Sequence, residues 1–201
     1  VILVVSATAA ELRAFVPPAD VRVVHCGVGP VEAAAVTAAL LARERFAFVV
    51  NAGIAGVFRG RGAVGDAFAV SEESMAELGI ETRAPLSLPD GLKLETRVEA
   101  DAGLLRRAQR AGLRAGRGVT VSSITASEAT AARLFAEFAA DVESMEGFAV
   151  LRAAALAGVP AIEVRGISNF VGDRSDSDWD FAAGRRAAVD ALTAFFAAAQ
   201  V

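Results

Sequence analysis

The sequence predicts an α/β fold: a single domain with a central mixed, mostly parallel sheet flanked by helices. Three observations carry this. Short apolar, β-branched runs alternate with alanine-rich helical stretches along the whole chain. The 201 residues are 54% hydrophobic and 22% charged, enough to bury one sizeable core. No repeat, low-complexity linker or charge block marks a boundary, so residues 1–201 read as one domain.

The elements follow in order. Val1–Ser6 reads as a buried first strand; it lacks the basic leader of a signal peptide, and Glu11 and Arg13 follow at once. Thr8–Phe15 is expected as a short helix and Val21–Cys26 as a strand. Pro30–Arg45 is a helix, with Pro30 and Glu32 suited to its first turn. Phe46–Asn51 is a buried strand expected to end in the glycine-rich turn Gly53-Ile54-Ala55-Gly56, and Val64–Ser71 is another strand. Glu72 to Glu99, with Pro85, Pro89 and Gly91, is the least regular part and is expected to hold antiparallel strands and loops. Then come a helix at Asp101–Gly112, a strand at Gly118–Ser123, a helix at Ser127–Phe138, and Val142–Ser144 leading into a helix to Ala157. Pro160–Ser168 is a strand, and Phe181–Ala199 is the closing helix.

Composition excludes several function classes. The net charge of −4 gives no basic excess to hold a phosphate backbone, so no nucleic-acid partner is expected. No stretch reaches the ~18 uncharged apolar residues of a membrane span. A single cysteine, Cys26, fits a reducing compartment and a cytoplasmic protein. With one histidine beside it, Cys/His zinc clusters are ruled out, and neither metal nor cofactor is expected. Gly27-Val28-Gly29-Pro30 opens a helix after a strand, but Glu32 replaces the third glycine of a dinucleotide fingerprint. Asp176-Ser177-Asp178-Trp179-Asp180 imitates a calcium loop, but Phe181 stands where its glycine belongs; these residues read as acids and a serine before a helix N-terminus. His25 reads as a structural residue at a strand end, and Arg59-Gly60-Arg61-Gly62 as a solvated turn.

In a parallel sheet, ligands bind beyond the carboxyl ends of the strands. Three segments there carry the chemistry: Asn51-Ala52-Gly53-Ile54-Ala55-Gly56, Glu143-Ser144-Met145-Glu146-Gly147 and Arg165-Gly166-Ile167-Ser168-Asn169-Phe170. Together they resemble the purine nucleoside phosphorylase and nucleosidase family, which includes methylthioadenosine nucleosidase. Ser168-Asn169-Phe170-Val171-Gly172-Asp173-Arg174, with Glu-Ser-Met-Glu-Gly upstream, is most similar to its futalosine hydrolase branch. The resemblance implies a nucleoside phosphorylase-like fold and hydrolysis of futalosine to hypoxanthine in an alternative menaquinone pathway. Methylthioadenosine/S-adenosylhomocysteine nucleosidase, purine nucleoside phosphorylase and a non-catalytic nucleoside-binding protein stay open. Its partners would be a small nucleoside and water, with the chain a homodimer or higher homo-oligomer.

Breaking an N-glycosidic bond builds positive charge on the sugar and negative charge on the departing base. The resemblance makes Glu146 the acceptor of the ribosyl 2′- and 3′-hydroxyls, where a carboxylate also favours the developing cation. The same glutamate could instead simply stabilise a helix N-terminus. Met145 would pack under the sugar or fill core. Glu11 matches the position that activates water, its alternative being an exposed acid. Asn169 stands where methylthioadenosine nucleosidases carry aspartate. An amide donates to N7 and to a 6-oxo group but protonates nothing, which favours hypoxanthine or guanine over adenine as leaving base; its alternative is a turn-capping asparagine. Arg165 would pair with Glu11 or orient the cleft. Ile54, Ala55 and Gly56 would let backbone approach the ligand. Phosphorylases place an arginine at the position of Asn51 and a small hydroxyl residue at that of Ile54, so water is favoured over phosphate. Phe170 and Trp179 would line the pocket for the 5′ group, with Arg174 meeting a carboxylate, or Trp179 would anchor the last helix. No aromatic base platform is identifiable near Ala126 and Ser127.

Overall fold

The computed structural model describes residues 1–80, 88–173 and 179–198. Among the described residues eight strands form the sheet: β1 (Ile2–Ser6), β2 (Val21–His25), β3 (Val49–Val57), β4 (Ala67–Met75), β5 (Arg97–Glu99), β6 (Arg114–Thr120), β7 (Val142–Ser144) and β8 (Ala161–Phe170). Five helices flank it: α1 (Pro30–Arg43), α2 (Ala102–Arg110), α3 (Glu128–Phe138), α4 (Gly147–Leu156) and α5 (Phe181–Ala197). β1 lies between β2 and β3, parallel to both. β3 runs parallel to β8 along its whole length. β8 pairs antiparallel with β4, which pairs parallel with β6 and antiparallel with β5. β6 pairs parallel with β7, and the end of β3 meets β7 antiparallel. The expected mixed, mostly parallel sheet is thus observed.

Every residue of β1 is buried, because both faces of the strand are covered. Ile2 and Val4 point into one apolar layer with Phe48, Val50, Ile162, Leu192 and Phe195, under α2 and α5. Leu3 and Val5 point into the opposite layer with Ala33, Val49, Val150 and Leu151, under α1 and α4. The period-two alternation of one strand therefore feeds two cores. α5 lies unusually close to β8: a Cβ on Gly166 would collide with backbone atoms of Gly184 and Ala188. Among the described residues no helix is long and apolar enough to cross a membrane.

Three local expectations change. Thr8–Phe15 forms turns, not a helix. The Glu11 carboxylate takes the Thr8 N–H at 2.8 Å and the Ile54 N–H at 3.1 Å, and the second bond ties the segment to β3. The Gly53–Gly56 segment is not a turn but the second half of β3, paired residue by residue with β8. Glycine serves close packing at Gly53, where a Cβ would stand 2.6 Å from Glu11 Oε1 and 2.8 Å from Arg165 Nη1. In the described part of the 72–99 region the expected antiparallel strands come down to one pair, β5 against the end of β4, with loop and a short turn of helix between them; residues 81–87 lie outside the description. The helix ends agree more closely: Asp101, Ser127 and Asp180 each cap a helix by accepting a backbone N–H.

Candidate active site

A cavity of about 380 Å³ opens beyond the carboxyl ends of β1, β3, β7 and β8. Glu11, Ile54, Ala55, Gly56, Met145, Glu146, Asn169 and Trp179 all line it. Sequence-distant residues meet here because the strand order places their ends side by side. Gly56 is in register with Glu143 of β7 on one edge and with Asn169 of β8 on the other. The missing side chain at Gly56 leaves a slot between the two polar ones: a Cβ there would lie 3.0 Å from Asn169 Nδ2.

Each polar group in the wall is held. Glu146 precedes α4 and is 4% exposed. Its Oε1 accepts the Gly29 N–H at 3.0 Å, and its Oε2 accepts from Arg165 Nη2 at 3.4 Å. Gly29 sits at the start of α1 with φ 97°, a left-handed conformation that favours glycine, and so turns its N–H toward the cavity. The Gly-Val-Gly-Pro segment that fails as a dinucleotide fingerprint therefore works by holding a glutamate. Glu11 is 8% exposed and carries the Thr8 and Ile54 N–H bonds. Ser168 Oγ donates to Asn169 Oδ1 at 2.8 Å, and Asn169 Nδ2 donates to the Phe170 carbonyl at 3.0 Å. That fixes the amide orientation and leaves one N–H uncommitted.

Arg165 is 1% exposed and lies behind the cavity rather than on its wall. The expected bond to Glu11 is replaced by others. Nε donates to Glu163 Oε1 at 2.5 Å, Nη1 to the Ile54 carbonyl at 3.1 Å, and Nη2 to Glu146. Burial pulls its pKa down, but the carboxylates of Glu163, Glu146 and Glu11 more than reverse this, so the guanidinium stays charged. Phe170 is also off the wall, with its ring 5.4 Å from the Arg59 guanidinium carbon. Trp179 lies on the wall, its ring 5.0 Å from that of Phe181. Asn51 is fully buried within β3 and does not reach the cavity. Arg174 lies outside the described residues. His25 stands at the end of β2, its Nδ1 2.8 Å from Ser6 Oγ.

Sequence reasoning missed other wall residues. Glu143 lines the cavity and accepts from Thr125 N at 3.1 Å and Thr125 Oγ1 at 2.5 Å. Burial pushes its carboxyl up in pKa, against the lowering effect of these two bonds. It tethers the loop after β6, which supplies aliphatic Ile124 to the wall near where an aromatic platform was sought. Ser168, Phe181 and Arg185 also contribute. The signal for Glu143 was its place two residues before Met145, in the segment that leads from a strand into α4; β7 is buried along its three residues.

Known proteins resemble this chain in sequence and fold. The phosphorylase superfamily profile matches residues 17–200. A futalosine hydrolase of Streptomyces coelicolor is 38% identical over 174 residues, covering 83% of this chain and 74% of that protein. A futalosine hydrolase of Thermus thermophilus is 34% identical over 159 residues, covering 76% and 71%. The native structure of futalosine hydrolase of Helicobacter pylori superposes with a TM-score of 0.84 over 98% of this chain and 97% of that one; at 18% identity the likeness shows the fold. The chain belongs to the phosphorylase superfamily. These two relatives are futalosine hydrolases.

Proposed function

We propose that this chain is an N-glycosyl hydrolase that cleaves futalosine, a 6-oxopurine nucleoside, into hypoxanthine and dehypoxanthine futalosine, a step of menaquinone biosynthesis. One observation carries the reading: Glu11, Glu146 and Asn169, from the ends of three different elements, line one cavity. The kinship with two futalosine hydrolases supports the choice of nucleoside.

The chemistry divides among the three. Glu146, fixed by Gly29 and Arg165, accepts from the ribosyl hydroxyls and stabilises the cationic sugar of the transition state. Charge-assisted bonds of this kind contribute roughly 1.5–3 kcal/mol each. Asn169 offers its uncommitted N–H to the departing base, whose charge grows as the bond breaks. Glu11 takes a proton from the attacking water, and Met145 packs beneath the sugar. Asn51, buried away from the cavity, offers no charge to a phosphate acceptor.

The test incubates the protein with futalosine, with and without phosphate, and follows the free base. Hypoxanthine release without phosphate is expected. Release only with phosphate makes the protein a phosphorylase, and no release in either case overturns the reading. Adenine release from methylthioadenosine at a comparable rate moves the assignment to that nucleosidase.

A further inference from the structure

Two carboxyl groups stand outside this machinery. Glu73 on β4 and Glu163 on β8 are both 0% exposed. Each has one oxygen engaged. Glu73 Oε2 accepts from Thr120 Oγ1 at 2.7 Å, while that hydroxyl oxygen accepts the Phe148 N–H at 2.8 Å. Glu163 Oε1 accepts from Arg165 Nε. The other two oxygens, Glu73 Oε1 and Glu163 Oε2, receive no donor. They converge on one place: a Cβ on Gly147 would stand 2.6 Å from Glu73 Oε1 and closer still to Glu163 Oε2. Gly118 clears the other side, since a Cβ there would overlap Glu73 Oε1. Glycines from β6 and from α4 thus make room for two carboxyls facing each other.

Two acceptor oxygens brought together away from water need a proton between them. We propose that Glu73 is protonated and donates to Glu163, and that this carboxyl–carboxylate pair sets the orientation in which Arg165 bonds Glu146. The pair leaves Glu163 a full anion along Arg165 Nε, which frees Nη2 for Glu146 and Nη1 for the Ile54 carbonyl. The charged groups facing Glu73 are Glu163 and Arg165, both from β8; β6 adds the Thr120 hydroxyl and α4 adds Gly147. Burial, and then the charge of Glu163, push the Glu73 carboxyl well above the ordinary range. Glu73 and Glu163 touch no substrate and are positioning residues.

This inference rests on the reading of Glu146 as the sugar-binding acid, so its test has one readout independent of turnover. Infrared spectra of the wild-type protein at neutral pH should show a protonated carboxyl band that shifts on isotopic labelling of glutamate carboxyls. Glu73→Gln should remove that band. In the wild-type protein, ionisation of Glu73 in alkali ends its donation to Glu163 and should lower kcat; in Glu73→Gln the amide still donates to Glu163, so kcat and KM should stay within about twofold at neutral pH while that alkaline fall shifts or vanishes. Glu163→Gln removes the anion that orients Arg165, and kcat should fall at least about tenfold with a smaller change in KM. Absence of the band in the wild-type protein overturns the proposal, even if Glu73→Gln does not fold. So does Glu163→Gln with undiminished kcat, or Glu73→Gln with an unchanged alkaline limb. If the wild-type protein leaves futalosine intact, the functional reading fails while the band still decides the shared proton.

Discussion

Glu146 receives one backbone N–H and one guanidinium N–H, and both come from groups with little freedom to move. A carboxylate held this way meets a developing cation without reorganising, which is where electrostatic catalysis is largest. Glu146→Gln keeps the size of the side chain and removes its charge. We expect kcat on futalosine to fall by about 10²–10³, with the far-ultraviolet circular dichroism spectrum unchanged because Glu163 still neutralises Arg165. Undiminished turnover would remove Glu146 from the mechanism. At this scale the sequence was informative where a motif named a residue, as with Glu11, Glu146 and Asn169. It was less informative about partners: Arg165 was expected to pair with Glu11 or orient the cleft, and it bonds not Glu11 but Glu146 of the cavity wall and Glu163 behind it. Spacing cannot tell which of three neighbouring carboxylates a buried guanidinium will choose, because that depends on how strands distant in sequence align, as in the Gly53–Arg165 register.

Among the elements, β8 and α5 meet backbone to backbone. Gly166 faces the backbone of Gly184 and Ala188, and Gly184 in turn faces Ser168, with a Cβ there only 2.8 Å from Ser168 Cβ. This seam fixes the end of β8, where Ser168 and Asn169 enter the cavity. Gly166→Val forces α5 outward, and overpacking of this kind typically costs ~1–3 kcal/mol or more. For a chain of this size each kcal/mol lowers Tm by roughly 2–4 °C, so a fall on the order of 5 °C is expected by calorimetry, with weakened activity because Asn169 moves. A variant as stable as the wild type would show that α5 yields without cost. Strand–helix alternation made the α/β class and nearly every helix legible. The glycine-rich half of β3 was not, because glycine in a buried strand and glycine in a turn look alike in sequence. What separates them here is the crowd of Glu11 and Arg165 over Gly53, a tertiary fact. Thr8–Phe15 misled for a related reason: the helical pattern is local, whereas the bond from the Ile54 N–H to the Glu11 carboxylate, which holds the segment against β3, is tertiary.

The whole molecule gathers four buried carboxylic side chains, Glu11, Glu73, Glu146 and Glu163, around one buried cation, Arg165. This arrangement ties stability to pH. The Glu73 carboxyl is pushed well above its ordinary value of 4.5, first by burial and then by Glu163. In the unfolded chain it would titrate near the ordinary value. The folded state therefore binds one more proton than the unfolded state between that value and the raised one. The stability this proton supplies is complete below about pH 4.5 and is lost as pH rises through the folded-state pKa, at about 1.4 kcal/mol per pH unit. Glu143, also raised by burial, acts in the same direction. Carboxylates that gain favourable partners on folding act in the opposite direction, so the informative quantity is a difference between proteins. Glu73→Gln carries a neutral side chain at every pH and removes this one dependence. Thermal unfolding of the two proteins as the pH is raised from about 5 should show the variant gaining on the wild type by roughly 3–5 °C per pH unit until the folded-state pKa of Glu73 is passed. Parallel Tm curves would mean that Glu73 ionises in the folded protein as it does in the unfolded one, leaving Arg165 to balance the carboxylates unaided.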